Sequence, residues 1–97
     1  MPRYVALMKL TKAGLDDIKN ATERVKAAEK IIEGMDGKLL DFYMVMGEHD
    51  YVGIAEFPSD EIGMTFLLGL GADGFVRTTT LKAFSREEYG GFISMLP

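Results

Sequence analysis

Apolar residues near the start of the chain follow one another without a break. Residues 3–10 contain the run YVALM, and the turn-forming Thr11 and Gly14 come soon after it. A short apolar run bounded by turn formers predicts a β-strand, and consecutive apolar positions indicate that both of its faces are covered. We therefore expect a buried strand at the beginning of the fold.

Residues 15–35 have the periodicity of a helix. Their apolar positions are spaced alternately three and four residues apart, which places them on one stripe of a helix with 3.6 residues per turn. Asn20 or Thr22 is a candidate N-cap that separates off a short first turn, and Gly37 is the candidate left-handed stop. The stripe consists of Ile18, Ala21, Val25, Ala28, Ile32 and Met35.

Two further strands and a second helix follow. Residues 38–46 and 51–57 are predicted strands, and the four residues at 47–50 suit a hairpin connection. Ser59 is the predicted N-cap of a helix that runs to about residue 72. Because this helix has two apolar stripes, we expect it to pack on two sides. One stripe is Ile62, Phe66, Leu67 and Leu70, and the other is Met64, Leu68 and Gly71.

The last segments complete a known order of elements. Residues 75–84 are rich in β-branched and aromatic residues and predict a fourth strand. Ser85 and Glu88 form a capping box that begins a C-terminal helix. The resulting order is that of the split βαβ, or ferredoxin-like, fold, whose right-handed crossovers put both long helices on one face of the sheet. We therefore expect one α+β domain over residues 1–97, with a four-stranded antiparallel sheet.

The predicted strands are apolar on both faces, although the two helices can cover only one. An uncovered apolar face of four strands would exceed the patches that monomers usually expose. The sequence therefore predicts a homodimer packed sheet to sheet. In the first strand Val5 and Leu7 oppose Tyr4, Ala6 and Met8; in the second, strict alternation sets Leu40, Phe42, Met44 and Met46 against Leu39, Tyr43 and Val45.

Composition removes several classes of function. The chain has 11 Lys and Arg against 15 Asp and Glu, so it lacks the basic surface of a general nucleic-acid or anionic-membrane binder. It has no Cys and a single His, which excludes disulfides, thiolate zinc sites and a multi-histidine metal site within one chain. No early apolar run is long enough for a membrane span or a signal peptide. We expect a cytoplasmic protein without a metal or cofactor.

Three segments carry a resemblance to a known family. They are residues 4–11, residues 42–51 and the strand VRTTTLKAF at 76–84. In order and spacing they resemble the GYD-domain proteins of the dimeric α/β-barrel superfamily. The eponymous motif maps onto Gly47, His49 and Asp50, with His49 in place of the usual Tyr.

The same hairpin and strand are similar to the effector-binding domain of Lrp/AsnC-type regulators. We expect no N-terminal helix-turn-helix of the kind those regulators carry, because the first strand begins at residue 3. The resemblance implies a dimeric α/β barrel, and it implies a fold far more than an activity.

His49 and Asp50 allow two interpretations. Flanked by Glu48 and Asp50, His49 is a weak catalytic candidate that could act as an acid or a base. Alternatively, this segment is a turn in which Asp50 binds backbone amides and His49 is simply exposed.

Polar side chains on apolar strands suggest a ligand site. The polar side chains on these strands are Tyr43, Asp41, Tyr51 and Arg77. If they pointed into the space between the sheet and its partner, they could hold a small carboxylate or an amino-acid-like ligand, with Arg77 as the anion contact. Alternatively, Arg77 pairs with an acidic residue and each tyrosine packs with its hydroxyl at the rim. The predicted ligand-binding residues are Tyr43, His49, Asp50, Tyr51 and Arg77.

Three functions follow from these patterns. The first and favoured one is a stand-alone ligand-binding or sensory module, because no catalytic constellation accompanies the regulator-like strands. The second is a cofactor-independent enzyme, of the monooxygenase or isomerase type, that uses the space between two sheets. The third is a structural or assembly protein in which the second stripe of the 59–72 helix builds a larger ring.

Overall fold

The strands and helices follow the predicted ferredoxin-like order. The computed structural model describes residues 1–97. The strands β1 (Arg3–Leu10), β2 (Lys38–Met44), β3 (Tyr51–Glu56) and β4 (Val76–Ala83) form one antiparallel sheet in the order β2-β3-β1-β4. The helices are α1 (Lys12–Asp16), α2 (Ala21–Gly34), α3 (Asp60–Asp73) and α4 (Arg86–Ser94), with a 3₁₀ turn at Ile18–Asn20 before α2.

β1 is a central strand of the sheet, between β3 and β4. Val5 is opposite Ile54 of β3 and opposite Leu81 of β4. Successive side chains of a strand point to opposite faces of the sheet. α2 and α3 pack against one face, and neither of them covers the other. We call the second one the open face. Its apolar residues are Val5, Leu7, Tyr43, Val52, Ile54 and Leu81.

The segment at 15–35 is not one continuous helix, because it is interrupted at Asp17. The Asp17 carboxylate accepts hydrogen bonds from the Asn20 amide at 2.7 Å and from the Arg24 guanidinium at 2.6 Å. Asn20 holds the N-cap position of α2 without a side-chain cap bond, and the other candidate cap, Thr22, lies inside α2. These local side-chain bonds compete with the helix, and hydrophobic periodicity does not reveal them.

The end of α2 also differs from the prediction. Asp36, not Gly37, adopts the left-handed conformation, with φ 62°. Gly37 donates its backbone N–H to the Ile32 carbonyl at 2.9 Å. A Cβ at Gly37 would lie 2.6 Å from the Glu56 carbonyl oxygen, so glycine is needed there for a close approach of two backbones.

The predicted faces of β2 are wrong because the strand contains a β-bulge. The register shifts between Leu39 and Asp41, which leaves Leu40 as the extra residue. Leu39 and Phe42 therefore share the helix-covered face, where strict alternation had separated them. Tyr43 lies on the open face.

α3 is anchored to the sheet through its first two turns. The Ser59 hydroxyl accepts a backbone N–H of the first turn at 3.3 Å, as the predicted N-cap requires. Gly63 is buried where the helix crosses the rings of Tyr4 and Phe57. One turn later, the ring of Phe66 lies 5.4 Å from that of Phe57. The helix ends at Gly74, which has φ 82°.

The buried core is small for a chain of this length. Tyr4, Met8, Ile32 and Phe57 are its buried hydrophobic residues. The accessible surface is 6875 Å², whereas a folded monomer of 10.7 kDa is expected to expose about 5,500 Å². The single chain therefore leaves apolar surface uncovered.

α4 leaves the body of the molecule as an arm. Its predicted capping box is present, with Ser85 and Glu88 exchanging side-chain-to-backbone hydrogen bonds of 2.9 and 3.0 Å. None of its residues is buried. Its ring contact within the chain is between Phe92 and Phe84, at 5.2 Å. This arm contributes to a molecule 53 Å long and only 19 Å thick.

The close approach of α3 predicts opposite effects at two of its glycines. A Cβ on Gly63 would lie 3.2 Å from Tyr4 and 3.3 Å from Phe57, whereas one on Gly69 would meet nothing within 4 Å. Gly69→Ala should raise the free energy of unfolding by about 0.5–1 kcal/mol through helix propensity. Gly63→Val should lower it by about 1–3 kcal/mol through overpacking. Urea unfolding measures both, and a stabilised Gly63→Val would contradict the anchoring of α3.

Candidate functional site

A cavity lies between the sheet and its two long helices. α2 packs on the edge strand β2 and α3 on the opposite edge strand β4, so neither helix closes over the middle of the sheet. The floor there is made of small residues, Ala6 of β1 with Gly53 and Ala55 of β3. The cavity has a volume of about 480 Å³, and 21 of its 27 lining residues are hydrophobic. We call it the helix–sheet cavity.

Aliphatic and aromatic side chains build the walls of the helix–sheet cavity. α2 contributes a stretch of small and branched residues, and α3 contributes larger ones from its inner stripe. Aromatic rings lie towards both edges of the sheet. The main wall residues are Ala28 and Ile31 of α2, Phe66 and Leu70 of α3, and the rings of Phe42 and Phe75.

Thr80 brings a buried polar atom to this apolar space. It lies on β4 opposite Ala6, and it lines the helix–sheet cavity. Its Oγ1 is shielded from solvent and has no hydrogen-bond partner. A buried hydroxyl left without a partner costs about 1–3 kcal/mol. Oγ1 itself lies behind the cavity surface, but Thr80 lines the cavity, so a rotation about χ1 would present the hydroxyl to a polar group that enters.

The cation at the edge of the cavity is already committed. Arg24 donates to the Asp17 carboxylate at 2.6 Å, to the Asp17 carbonyl at 2.9 Å and to the Gly14 carbonyl at 3.4 Å. Its guanidinium also lies 4.5 Å from the centre of the Phe75 ring. These contacts hold the start of α2 against the interruption of the helix at Asp17. Arg24 therefore lines the cavity without being free to bind an anion.

A hydrogen-bonded chain joins the cavity to the start of α3. The Tyr4 ring lines the cavity, and its hydroxyl donates a short hydrogen bond to Asp60, which also accepts from Lys82 at 2.9 Å. Burial and this bond raise the pKa of Tyr4 to about 12. The bonds from Tyr4 and Lys82 hold the pKa of Asp60 below its usual value. Tyr4 is thus a hydrogen-bond donor and a poor base at neutral pH.

Three of the predicted ligand-binding residues lie on two different faces. Tyr51 faces the helices and lines the cavity, with its ring 5.1 Å from that of Phe42. Tyr43 and Arg77 are exposed on the open face, on the two edge strands. Adjacent strands lie about 4.8 Å apart, so roughly 14 Å separates β2 from β4. One small ligand cannot touch all three side chains within a single chain.

Asp50 ties the hairpin to β1. Its carboxylate accepts the Leu10 backbone N–H at 2.8 Å, and its own N–H donates to the Met8 carbonyl at 2.8 Å. The Asp50 carbonyl accepts the Val45 N–H at 2.9 Å, so the connection starts at Val45, before the predicted end of β2 at residue 46. His49 beside it is half-buried and makes no side-chain hydrogen bond or ion pair. No three carboxylate or imidazole groups come together in the arrangement that a metal ion needs.

Comparison with known proteins identifies the family of this chain. The profile of the GYD domain matches residues 4–93, which is most of the chain. The chain belongs to the GYD domain family. None of its helices combines the length and apolar character that crossing a bilayer requires.

One GYD relative comes from Thermus thermophilus. That protein is named glutamine synthetase and cystathionine beta-lyase binding protein. It is 30% identical over 84 residues, which cover 86% of this chain and 88% of the relative.

Two solved structures share the fold. The crystal structure of MtbAldR superposes with a TM-score of 0.68 at 15% identity and covers 88% of this chain. The chain spans about half, 52%, of MtbAldR itself. TTHA0845 from Thermus thermophilus superposes with a TM-score of 0.56 at 23% identity, over 88% of this chain and 95% of that one.

The GYD motif of this chain thus has a structural role in the hairpin. Gly47 adopts φ 117°, a conformation that glycine adopts readily, and Asp50 supplies the bonds that hold the loop to β1. Glu48 reaches Lys9 at 3.6 Å on the surface. His49, at the motif's aromatic position, lies between these two anchored residues.

The helix–sheet cavity and the role of Thr80 were not predicted from the sequence. At the level of sequence, β-propensity alone explains the TTT run at 78–80. The available signal was a row of small residues, Ala6 and Gly53, on strands predicted to be buried. Combined with the alanines of α2, it could have indicated that side chains do not fill the space above the sheet.

The Tyr4–Asp60 bond predicts a pH-dependent stability. The Tyr4 pKa is about 12 when folded, above about 10 when unfolded, so its contribution is complete below pH 10 and is lost as pH rises towards 12. Between pH 10 and 12, the free energy of unfolding should therefore fall by about 1–2 kcal/mol less in Tyr4→Phe than in the unsubstituted protein, after allowance for solvent screening. Tyr89→Phe on the exposed helix α4 is the matched control and should change nothing. Equal losses in Tyr4→Phe and the unsubstituted protein would contradict this role of Tyr4.

Proposed function

We propose that this GYD protein is a small-molecule-binding module that works as a sheet-to-sheet homodimer. The helix–sheet cavity is the observation that carries the proposal. Its volume of about 480 Å³ lies within the range of ligand pockets, roughly 300–1,000 Å³. Protein interiors otherwise contain few voids larger than a water molecule. The proposed ligand site is therefore on the helix-covered face of the sheet, and not between two sheets as the sequence suggested.

The open face supports the homodimer. Its centre is apolar, and charged residues surround it at the strand ends and on the edge strand β2, where Asp41 lies. Arg3 pairs with Glu56 at 3.7 Å at one end, and Lys9 pairs with Glu48 at 3.6 Å at the other. An apolar centre with a polar rim is the usual anatomy of a protein interface. The surface exposed beyond the size expectation, about 1,400 Å², exceeds the roughly 800 Å² per partner of a standard interface.

Binding is favoured over catalysis by the chemistry of the cavity. Its polar groups are the committed Arg24, the hydrogen-bonded Tyr4 and Thr65, the exposed Asp73, and the hydroxyls of Tyr51 and Thr80. No acid–base pair converges on the space, and His49 lies in the hairpin rather than on the cavity wall. A binding module needs only complementary shape and a few polar contacts, which this cavity supplies.

A charge on the open face should dissociate the homodimer. Leu81 is 51% exposed in the single chain, so Leu81→Asp should fold normally and yet bury an unpaired carboxylate in the dimer. We expect the dissociation constant to rise at least about tenfold in analytical ultracentrifugation. Leu68→Asp on the outer side of α3 is the matched control and should leave the dimer intact. A monomeric unsubstituted protein at micromolar concentration would refute the dimer.

A second candidate function is the binding of another protein. The Thermus relative is named for binding two enzymes, and this chain matches 88% of that relative's length. α3 also exposes an apolar stripe on its outer side, where Met64 is 55% and Leu68 is 69% accessible. Exposed stripes of this kind favour a protein partner or a larger assembly.

Purified Thermus thermophilus glutamine synthetase tests the second function. Surface plasmon resonance should detect binding to this chain, and Leu68→Asp should weaken it at least about tenfold because the apolar anchor is lost. Leu15→Asp on α1, where the side chain is 58% exposed, keeps both the α3 stripe and the open face and serves as the control. Absence of binding at micromolar concentrations would count against this partner class, and equal loss in both variants would place the contact elsewhere.

A further inference from the structure

We infer that the ligand of the helix–sheet cavity is a neutral, largely apolar molecule with one hydrogen-bonding group that meets Thr80 Oγ1. This inference rests on the proposed function and adds the chemical class of the ligand. It departs from the carboxylate or amino-acid-like ligand that the sequence suggested.

The walls of the cavity favour a ligand that is mostly apolar. Hydrophobic residues make up 21 of the 27 that line it, and the floor at Ala6, Gly53 and Ala55 offers backbone and methyl groups. Taking about 30 Å³ per water molecule as a scale, 480 Å³ corresponds to on the order of 15 non-hydrogen atoms. A molecule of that size would be held mainly by the removal of apolar surface from water.

The electrostatics exclude a charged ligand group in the interior. Arg24 is the cation of the lining, and its guanidinium already has the Asp17 carboxylate, two carbonyls and the Phe75 ring as partners. Asp73, the lining carboxylate, is exposed at the end of α3. A carboxylate in the cavity would therefore lose its hydration without gaining a counterion, and an ammonium group would find no buried acid.

Thr80 supplies the polar contact. Its Oγ1 is the one buried side-chain oxygen or nitrogen without a partner in the chain, and a rotation about χ1 would turn it towards the cavity that Thr80 lines. A hydroxyl both donates and accepts, so it can serve a ligand hydroxyl, phenol or carbonyl. Because the atom is shielded from solvent, a ligand that satisfies it would displace no hydrogen bond to bulk water.

Three ligands with one bicyclic skeleton test the class: naphthalene, 2-naphthol and 2-naphthoate. Their fluorescence anisotropy can be followed directly, because the chain contains no Trp. We expect 2-naphthol to bind and 2-naphthoate to bind more weakly than either neutral probe. Thr80→Val should weaken 2-naphthol by roughly threefold to tenfold, as the loss of a neutral hydrogen bond predicts, and should leave naphthalene unchanged.

Two control variants make the outcomes distinguishable. Thr79→Val removes a hydroxyl from the open face of the same strand and should change no affinity. Ala28→Leu fills the cavity and should weaken every probe. Thr80→Val itself should fold at least as stably as the unsubstituted protein, because it removes a buried hydroxyl without a partner.

The experiment distinguishes an error in the inferred ligand class from an error in the proposed function. If a probe binds and Ala28→Leu blocks it, yet Thr80→Val has no effect or 2-naphthoate binds tightest, the inferred class is wrong and the cavity remains the binding site. If no probe binds, or if Ala28→Leu changes no affinity, both the cavity site and the inferred class are refuted.

Discussion

Two helices cannot cover a four-stranded sheet when each of them packs on an edge strand. α2 lies on β2 and α3 on β4, while the central strands carry Ala6, Gly53 and Ala55 where larger side chains would fill the gap. Incomplete cover on this face creates the helix–sheet cavity. Neither of those helices covers the other face, so its apolar centre is exposed in the single chain.

Polar interactions in this structure mainly fix the elements around that gap. Arg24 binds across the break at Asp17 and positions the start of α2. Asp60 joins Tyr4 to Lys82 and positions the start of α3 over the sheet. Thr80 is the exception, since its hydroxyl holds nothing within the chain. This contrast distinguishes a group that builds the site from one that is free to serve a ligand.

The order of elements could be predicted because it depends on local signals. Apolar runs, a 3.6-residue stripe, the Ser59 cap and the Ser85–Glu88 capping box each act within a few residues. The predictions were wrong where a single residue or a long-range contact determines the local conformation. A single bulge at Leu40 puts Leu39 and Phe42 on the same face of β2. Asp36 rather than Gly37 adopts the left-handed conformation, and Gly37 is needed instead for the close approach to the backbone of Glu56.

The site was harder to predict than the fold. Tyr51 and Tyr43 lie on opposite faces, and Asp50 is used by the hairpin, so the predicted ligand residues do not meet. The cavity depends on how far apart two helices lie above a sheet, which is a tertiary distance that no local pattern encodes. Its polar contact, Thr80, looks like any other strand threonine until its buried surroundings are known.

The central claim is that a small molecule binds on the helix-covered face. Intermolecular nuclear Overhauser effects between 2-naphthol and the methyl groups of the protein test it most directly, because both faces carry methyl groups. The account predicts contacts to Ala6, Ala28 and Thr80. Contacts confined to Val5, Leu7 and Leu81 of the open face would contradict it.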